Sequence, residues 1–146
     1  MPNCTALNEN GESLSLHDYL GQKLVIFFYP KDNTPGCTIE SCGFRDAYLD
    51  FKAAGAEVLG ISRDSVKKHQ NFIAKYDLPF SLIADTESVI CDAFGVIKEK
   101  SMFGKKYMGI ERSTFLMDEK GVIQHTWPKV KISGHVDEVL AAARAL

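Results

Sequence analysis

The 146-residue chain has no apolar run near the roughly 20 residues that a membrane-spanning helix needs. Its opening stretch, Met1 to Asn10, lacks the basic and apolar regions of a secretory leader. Charge is almost balanced: 17 basic against 19 acidic side chains, formally −2. Neither sign is in excess, so the sequence gives no reason to expect nucleic acid or a membrane as partner. The cytoplasm is the expected location. There is no C-x-x-C and no H-x(3–5)-H among Cys4, Cys37, Cys42, Cys91, His17, His69, His125 and His135, so the spacing is not that of a zinc site. No metal and no cofactor are expected. In a reducing compartment the thiols do not build a permanent framework, and a transient catalytic disulfide is their natural use. No repeat, linker or low-complexity segment interrupts the chain. With 45% apolar and 25% charged residues, it has the composition of one globular domain spanning residues 1–146.

What is present is a turn-rich stretch, Tyr29-Pro30-Lys31-Asp32-Asn33-Thr34-Pro35-Gly36-Cys37-Thr38-Ile39-Glu40-Ser41-Cys42. It follows the apolar run Leu24 to Phe28, which reads as a strand buried on both faces. It precedes a helical pattern from about Thr38 to Ala54. In an open α/β sheet, ligands gather at the carboxyl ends of the strands. Cys37 falls at or beside the first helical turn, where unpaired N–H groups and the helix dipole favour a thiolate. The thiolate is the nucleophilic form. The stretch reads as a cysteine-based redox site; the alternative is a small apolar cysteine beside a tight turn.

The rest of the chain supplies a frame for that stretch. Cys4 to Leu7 reads as a short strand, Asn8 to Glu12 as a turn, and Ser15 to Leu20 as a short helix with Ser15 as N-cap and Asp18 three positions on. Glu57 to Ser62 and Phe80 to Ala84 read as strands. Ser65 opens a helix to about Tyr76, Ser88 to Phe94 forms a shorter one containing Cys91, and Gly134 to Ala145 closes the chain. Ser113 to Met117 and Val122 to Trp127 are expected as a hairpin through Gly121. Val96 to Gly109 reads as a solvated, lysine-rich loop, with a basic patch as the alternative. In the long helix the apolar set is Ile39, Cys42, Phe44, Tyr48, Leu49 and Phe51. Gly43 inside it marks either close packing or a turn that must unwind. The order of elements argues for an α/β layered domain, a central mixed sheet with a parallel part and an antiparallel edge, flanked by helices. A thioredoxin-like fold satisfies it.

Pro30-x-x-x-Thr34-x-x-Cys37 has the form of the peroxiredoxin active-site motif, and the string from Phe28 to Thr38 resembles the peroxiredoxin Q, or bacterioferritin comigratory protein, group. The resemblance covers nearly the whole chain and implies the thioredoxin-like fold. It implies that Cys37 attacks the peroxide and becomes a sulfenic acid. The arginine that completes the site would be Arg112, in Ile110-Glu111-Arg112-Ser113-Thr114-Phe115. Its guanidinium stays charged and presents a fixed fork of donors. Thr34 would bond the peroxide through its hydroxyl, although a threonine here can equally bond its own turn. Pro30 and Pro35 would shape the loop, with Gly36 permitting close approach. The Cys37-x4-Cys42 spacing matches the subgroup that forms an intramolecular disulfide, with Cys42 resolving; otherwise Cys42 is core packing. Cys91 reads as a buried small apolar residue. Cys4 matches no motif.

The expected function is thus a thiol peroxidase for hydrogen peroxide and alkyl hydroperoxides, recycled by thioredoxin or a similar dithiol donor and acting as a monomer in antioxidant defence. Two alternatives are a peroxide sensor and a thiol–disulfide oxidoreductase acting on proteins. The missing C-x-x-C argues against the last.

Overall fold

A computed structural model describes residues 1–146. Its strands are β1 (Thr5–Leu7), β2 (Ser13–Ser15), β3 (Lys23–Phe28), β4 (Ala56–Ser62), β5 (Ser81–Ala84), β6 (Ile97–Met102), β7 (Lys105–Ile110), β8 (Ser113–Met117) and β9 (Ile123–Trp127). Its helices are α1 (Pro35–Ala53), α2 (Val66–Tyr76), α3 (Val89–Ala93) and α4 (His135–Ala145). Seven strands form one sheet in the order β2-β1-β5-β4-β3-β8-β9. β3, β4 and β5 run parallel, while β8 pairs antiparallel with β3 and β9 with β8. This is the mixed sheet expected from the order of elements, with the thioredoxin-like parallel core in its middle.

The near-continuous apolar run of β3 has a direct cause. Val25, Phe27 and Tyr29 enter one core with Phe44 and Phe51 of α1, Phe72 of α2 and Val139 of α4. Leu24, Ile26 and Phe28 enter the other with Leu59, Ile61, Ile90 and Phe115. Each such side chain contributes about 1.5–3 kcal/mol through burial. Alternate residues of one strand therefore hold two helical layers to the sheet, and the end of that strand is fixed from both sides.

Local signals account for the helix ends. The Ser65 side chain accepts a hydrogen bond from the Lys68 amide at 3.2 Å and caps α2. The segment from Ser15 folds as a 3₁₀ turn over Leu16–Tyr19, with Asp18 Oδ2 accepting from the Ser15 amide at 3.0 Å. Helix α1 begins at Pro35, three residues before the periodicity indicates, because proline fits a first helical position that needs no amide donor.

Two expectations fail. Val96 to Gly109 is a regular antiparallel hairpin, β6 with β7, standing apart from the main sheet. Its turn places Phe103 and Gly104 at φ +52° and +80°, the left-handed pair that a two-residue hairpin demands. The lysines hid it because backbone pairing, not a buried face, holds it. In α1, Ile39 and Leu49 are 62% and 80% exposed, whereas Glu40 and Ser41 are buried. The inward stripe of this helix carries polar groups near its start, where the site lies. No helix is long and apolar enough to cross a membrane.

Candidate active site

Thr34 occupies the N-cap of α1, followed by Pro35, Gly36 and Cys37 in its first turn. The helical ladder starts with the Thr38 amide donating to Thr34 O at 2.8 Å. The amides of Gly36 and Cys37 precede that bond in the first turn, at the positive end of the helix dipole. Cys37 is 1% exposed. Burial alone disfavours a thiolate, so a compensating charge is required.

Arg112 supplies it. The residue lies between β7 and β8, and its Nη2 donates to Cys37 Sγ at 3.2 Å. Nη1 donates to Glu40 Oε1 at 2.7 Å. Glu40 is one helical turn beyond Cys37, so both face the same guanidinium. Gly36 makes room for this approach: a Cβ there would stand 3.2 Å from Arg112 Nη2 and 3.2 Å from Ile132 Cδ1. Burial pushes the Glu40 carboxyl up to about 7, with the guanidinium acting in the opposite sense. The Arg112 guanidinium itself is raised by Glu40 and Cys37 against burial. Burial of the carboxylate is the larger effect at Glu40, because its side chain has no solvent contact at all.

Of the residues singled out from the sequence, Cys37, Arg112 and Gly36 come together. Thr34 lies in the same turn, and its hydroxyl donates to Lys31 O at 2.9 Å. That bond commits the hydroxyl proton to the loop and leaves the oxygen lone pairs available as acceptors. Pro30 follows Tyr29, two positions past the end of β3, and Pro35 opens α1; both prolines are exposed. Cys42 is half-buried on the same helix as Cys37, and both are free thiols. Cys91 is fully buried, as expected of a small core residue, and its thiol is raised by burial and by Asp85. Cys4 is half-buried at the edge of one core. No three His, Cys, Asp or Glu side chains converge as metal ligands would.

Sequence reasoning missed two features. Glu40 is one; the signal was its position three residues after Cys37, on the same face. The second lies beneath the loop. Tyr29 OH donates to Asp32 Oδ1 at 2.5 Å, and Asp32 Oδ2 lies 2.6 Å from His69 Nδ1. His69 Nε2 lies 2.9 Å from Ile83 O, a carbonyl that can only accept, so Nε2 carries a hydrogen. The ring nitrogen Nδ1 and the Asp32 carboxylate therefore share one further proton between them. The Asp32 amide in turn donates to Asp64 Oδ2 at 2.7 Å. These buried bonds tie the loop after β3 to the end of β4, to β5 and to α2. No periodicity announces such a network, because its members come from four separate elements.

The chain as a whole is similar to known proteins. Residues 1–126 match the AhpC/TSA family. The Peroxiredoxin Bcp of Xanthomonas campestris is 52% identical over 135 residues, 92% of this chain and 84% of that protein. The Peroxiredoxin Bcp of Bacillus subtilis is 48% identical over 139 residues, 95% of this chain and 88% of that protein. A solved structure of Xanthomonas campestris Peroxiredoxin Q superposes with a TM-score of 0.93 at 49% identity, covering 97% of this chain and 90% of that one. Another, at 48% identity with the same TM-score and coverage, concerns trapped intermediate and ligand complexes and the alkyl peroxide reduction activity of the bacterioferritin comigratory protein from that organism.

Proposed function

The chain belongs to the AhpC/TSA family and is a thiol peroxidase of the peroxiredoxin Bcp kind, and from that premise we propose that Cys37 is its peroxidatic thiol, Cys42 its resolving thiol, and Arg112 with Thr34 the groups that hold the peroxide. One observation carries the reading: the Arg112 guanidinium donates to Cys37 Sγ at 3.2 Å at the start of a helix. The Cys37 thiolate attacks one peroxide oxygen. The S–O bond forms as the O–O bond breaks, and the second oxygen leaves as hydroxide or alkoxide and takes a proton from water. Arg112 and the free amides of the first turn stabilise that charge, while Thr34 Oγ1 accepts from the incoming hydroperoxide. Glu40 positions the guanidinium. Pro30, Pro35 and Gly36 give the loop its shape.

The Cys42 thiolate then attacks the Cys37 sulfenic sulfur and expels hydroxide, leaving a Cys37–Cys42 disulfide. A dithiol donor such as thioredoxin returns both thiols. Hydrogen peroxide and alkyl hydroperoxides are the proposed substrates, a monomer the proposed form, and the cytoplasm, where thiols stay reduced, the proposed location. The 1% exposure of Cys37 suits a small peroxide and argues against direct attack on a protein disulfide.

The test is intact mass and peptide mapping after one equivalent of hydrogen peroxide. The expected result is one disulfide joining Cys37 to Cys42, with no turnover by Cys37→Ser even under excess reductant. Continued turnover by that variant removes Cys37 from the mechanism; a disulfide to Cys4 or Cys91 removes Cys42.

A further inference from the structure

The formal charge of −2 conceals a strong local segregation. The hairpin from Ile97 to Ile110 carries four lysines and one glutamate, net +3, and the rest of the chain is −5. The strand register divides these charges between two faces. Lys98, Lys100 and Met102 pair with Gly109, Tyr107 and Lys105, and side chains alternate across a strand, so these residues share one face. That face has three cations and no acid. On the opposite face Glu99 meets Lys106 at 3.5 Å, which cancels, while Ile97 and Ile110 reach the core.

Exposed apolar side chains mark the outer end of the basic face, while Met108, 56% exposed, lies on the opposite face. Met102 is 56% exposed, Tyr107 43%, and Phe103, at the turn itself, 99%. A convex tip of aromatic and thioether groups flanked by lysines does not suit a flat protein surface. It suits a lipid interface, where an aromatic ring sits at headgroup level and lysines meet anionic headgroups. The hairpin leads directly to the site: β7 ends at Ile110, and Arg112, two residues on, donates to Cys37 Sγ at 3.2 Å. The Lys100 stem lies across Gly109, 3.2 Å from where a Cβ would stand, and burial, then the Arg112 charge, hold its ammonium below the ordinary lysine value. The hairpin is braced at its root by Arg63 Nη2, which donates to Met108 O at 3.0 Å.

We propose that the basic face of the β6–β7 hairpin, with Phe103 at its tip, docks reversibly on anionic lipid surfaces and so brings the mouth of the active site to the membrane interface. The overall charge balance led to the opposite expectation, because a sum over the chain cannot register a face. The docking is weak by construction: each lysine near an anionic surface contributes about fivefold in partition coefficient, and no second anchor is present. It needs no helix that crosses the bilayer. That the docked enzyme then meets lipid hydroperoxides rests on the peroxidase reading; the docking itself does not.

The experiment is co-sedimentation of the reduced protein with vesicles of phosphatidylcholine, alone or with one third phosphatidylglycerol, without peroxide. Because no turnover is involved, failure here is separable from failure of the peroxidase reading. Binding is expected only with phosphatidylglycerol and at low salt, and is expected to vanish near 1 M salt, where the screening length falls to about 3 Å. Lys98→Gln with Lys105→Gln should lower the partition coefficient about thirtyfold, and Phe103→Ser severalfold. Thermal unfolding verifies that both variants fold. Equal binding to phosphatidylcholine, no binding to either vesicle, or binding that these substitutions leave intact overturns the proposal. Absent vesicle binding combined with weaker reduction of Phe103→Ser by a dithiol protein would also overturn it and assign the hairpin to an acidic protein.

Discussion

Glu40 and Arg112 form an ion pair, 2.7 Å from Oε1 to Nη1, in which the second carboxylate oxygen, Oε2, is buried with no hydrogen-bond partner. The pair is therefore half-satisfied, and burial raises the carboxyl from its ordinary 4.5 to about 7. A carboxyl whose folded value lies above its unfolded one stabilises the fold only while protonated. The cost of ionising Glu40 is absent below about pH 4.5 and fully present above about pH 7, reaching at most about 3 kcal/mol. Urea unfolding should show the wild type losing stability relative to Glu40→Gln as pH rises through that window. A difference independent of pH would mean that Glu40 does not titrate there.

Arg112→Met keeps the stem and removes the donors. A hydrogen bond to a charged group contributes about 1.5–3 kcal/mol, so oxidation of Cys37 should slow by about 10- to 100-fold. Rapid-quench mass spectrometry of sulfenic acid formation reads this rate. Arg112→Lys should restore only part of it, since one ammonium cannot serve Cys37 and Glu40 in the same forked geometry. Unchanged oxidation in Arg112→Met would leave the guanidinium a purely structural role.

The proposed disulfide requires a helix to open. Residues five apart in an α-helix have Cα atoms about 8.7 Å from each other and side chains about 140° apart around the axis. A disulfide takes Cα separations of about 4.4–6.8 Å. Cys37 and Cys42 both lie in the uninterrupted α1, so oxidation must unwind its first turns. Amide exchange over residues 37–45 should be faster in the oxidised protein than in the reduced one. Equal protection in both states would rule out Cys42 as the partner.

Gly43 has a packing role in that helix. A Cβ there would stand 3.0 Å from Val136 Cγ2 of α4. Of the two explanations offered by the sequence, close packing is directly visible. Alanine would gain about 0.5–1 kcal/mol of helix propensity, and overpacking would cost about 1–3 kcal/mol. Gly43→Ala should therefore destabilise the reduced protein by about 1 kcal/mol. In a Val136→Ala background the sign should reverse, and thermal unfolding of the four proteins in the double-mutant cycle measures the coupling. Simple additivity would mean that the two helices do not press on each other.

His69→Leu should destabilise by about 3–5 kcal/mol, because it leaves Asp32 buried without its proton-sharing partner. The loop that carries Thr34 should loosen with it. Urea unfolding measures the first effect and limited proteolysis at residues 30–34 the second. A loss below about 1 kcal/mol would show that Asp32 finds another partner.

The elements that carry the site were legible for physical reasons that can be named. The run of β3 is apolar because both of its faces are buried, and Pro-Gly-Cys marks the helix start because those positions need no amide donor, little bulk and a reactive side chain. Arg112 was legible only through the family resemblance; nothing in an isolated arginine points to a thiol 75 positions away. Glu40 and the Asp32–His69 pair escaped because a buried charge looks, in sequence, like a surface charge. The hairpin at 97–110 escaped because lysine-rich strands lack the apolar alternation that reveals a half-buried one.

The burial of Cys37 separates nucleophilicity from labelling. Maleimides and aryl disulfides choose thiols by steric access, and in the reduced protein access belongs to Cys42 and Cys4. A thiol-profiling experiment on this protein would thus rank its proposed catalytic cysteine near the bottom. The footprint of Cys37 would instead be indirect: brief exposure to peroxide should erase the label at Cys42 while sparing Cys4. A buried nucleophile with an accessible resolving partner is inventoried by what disappears.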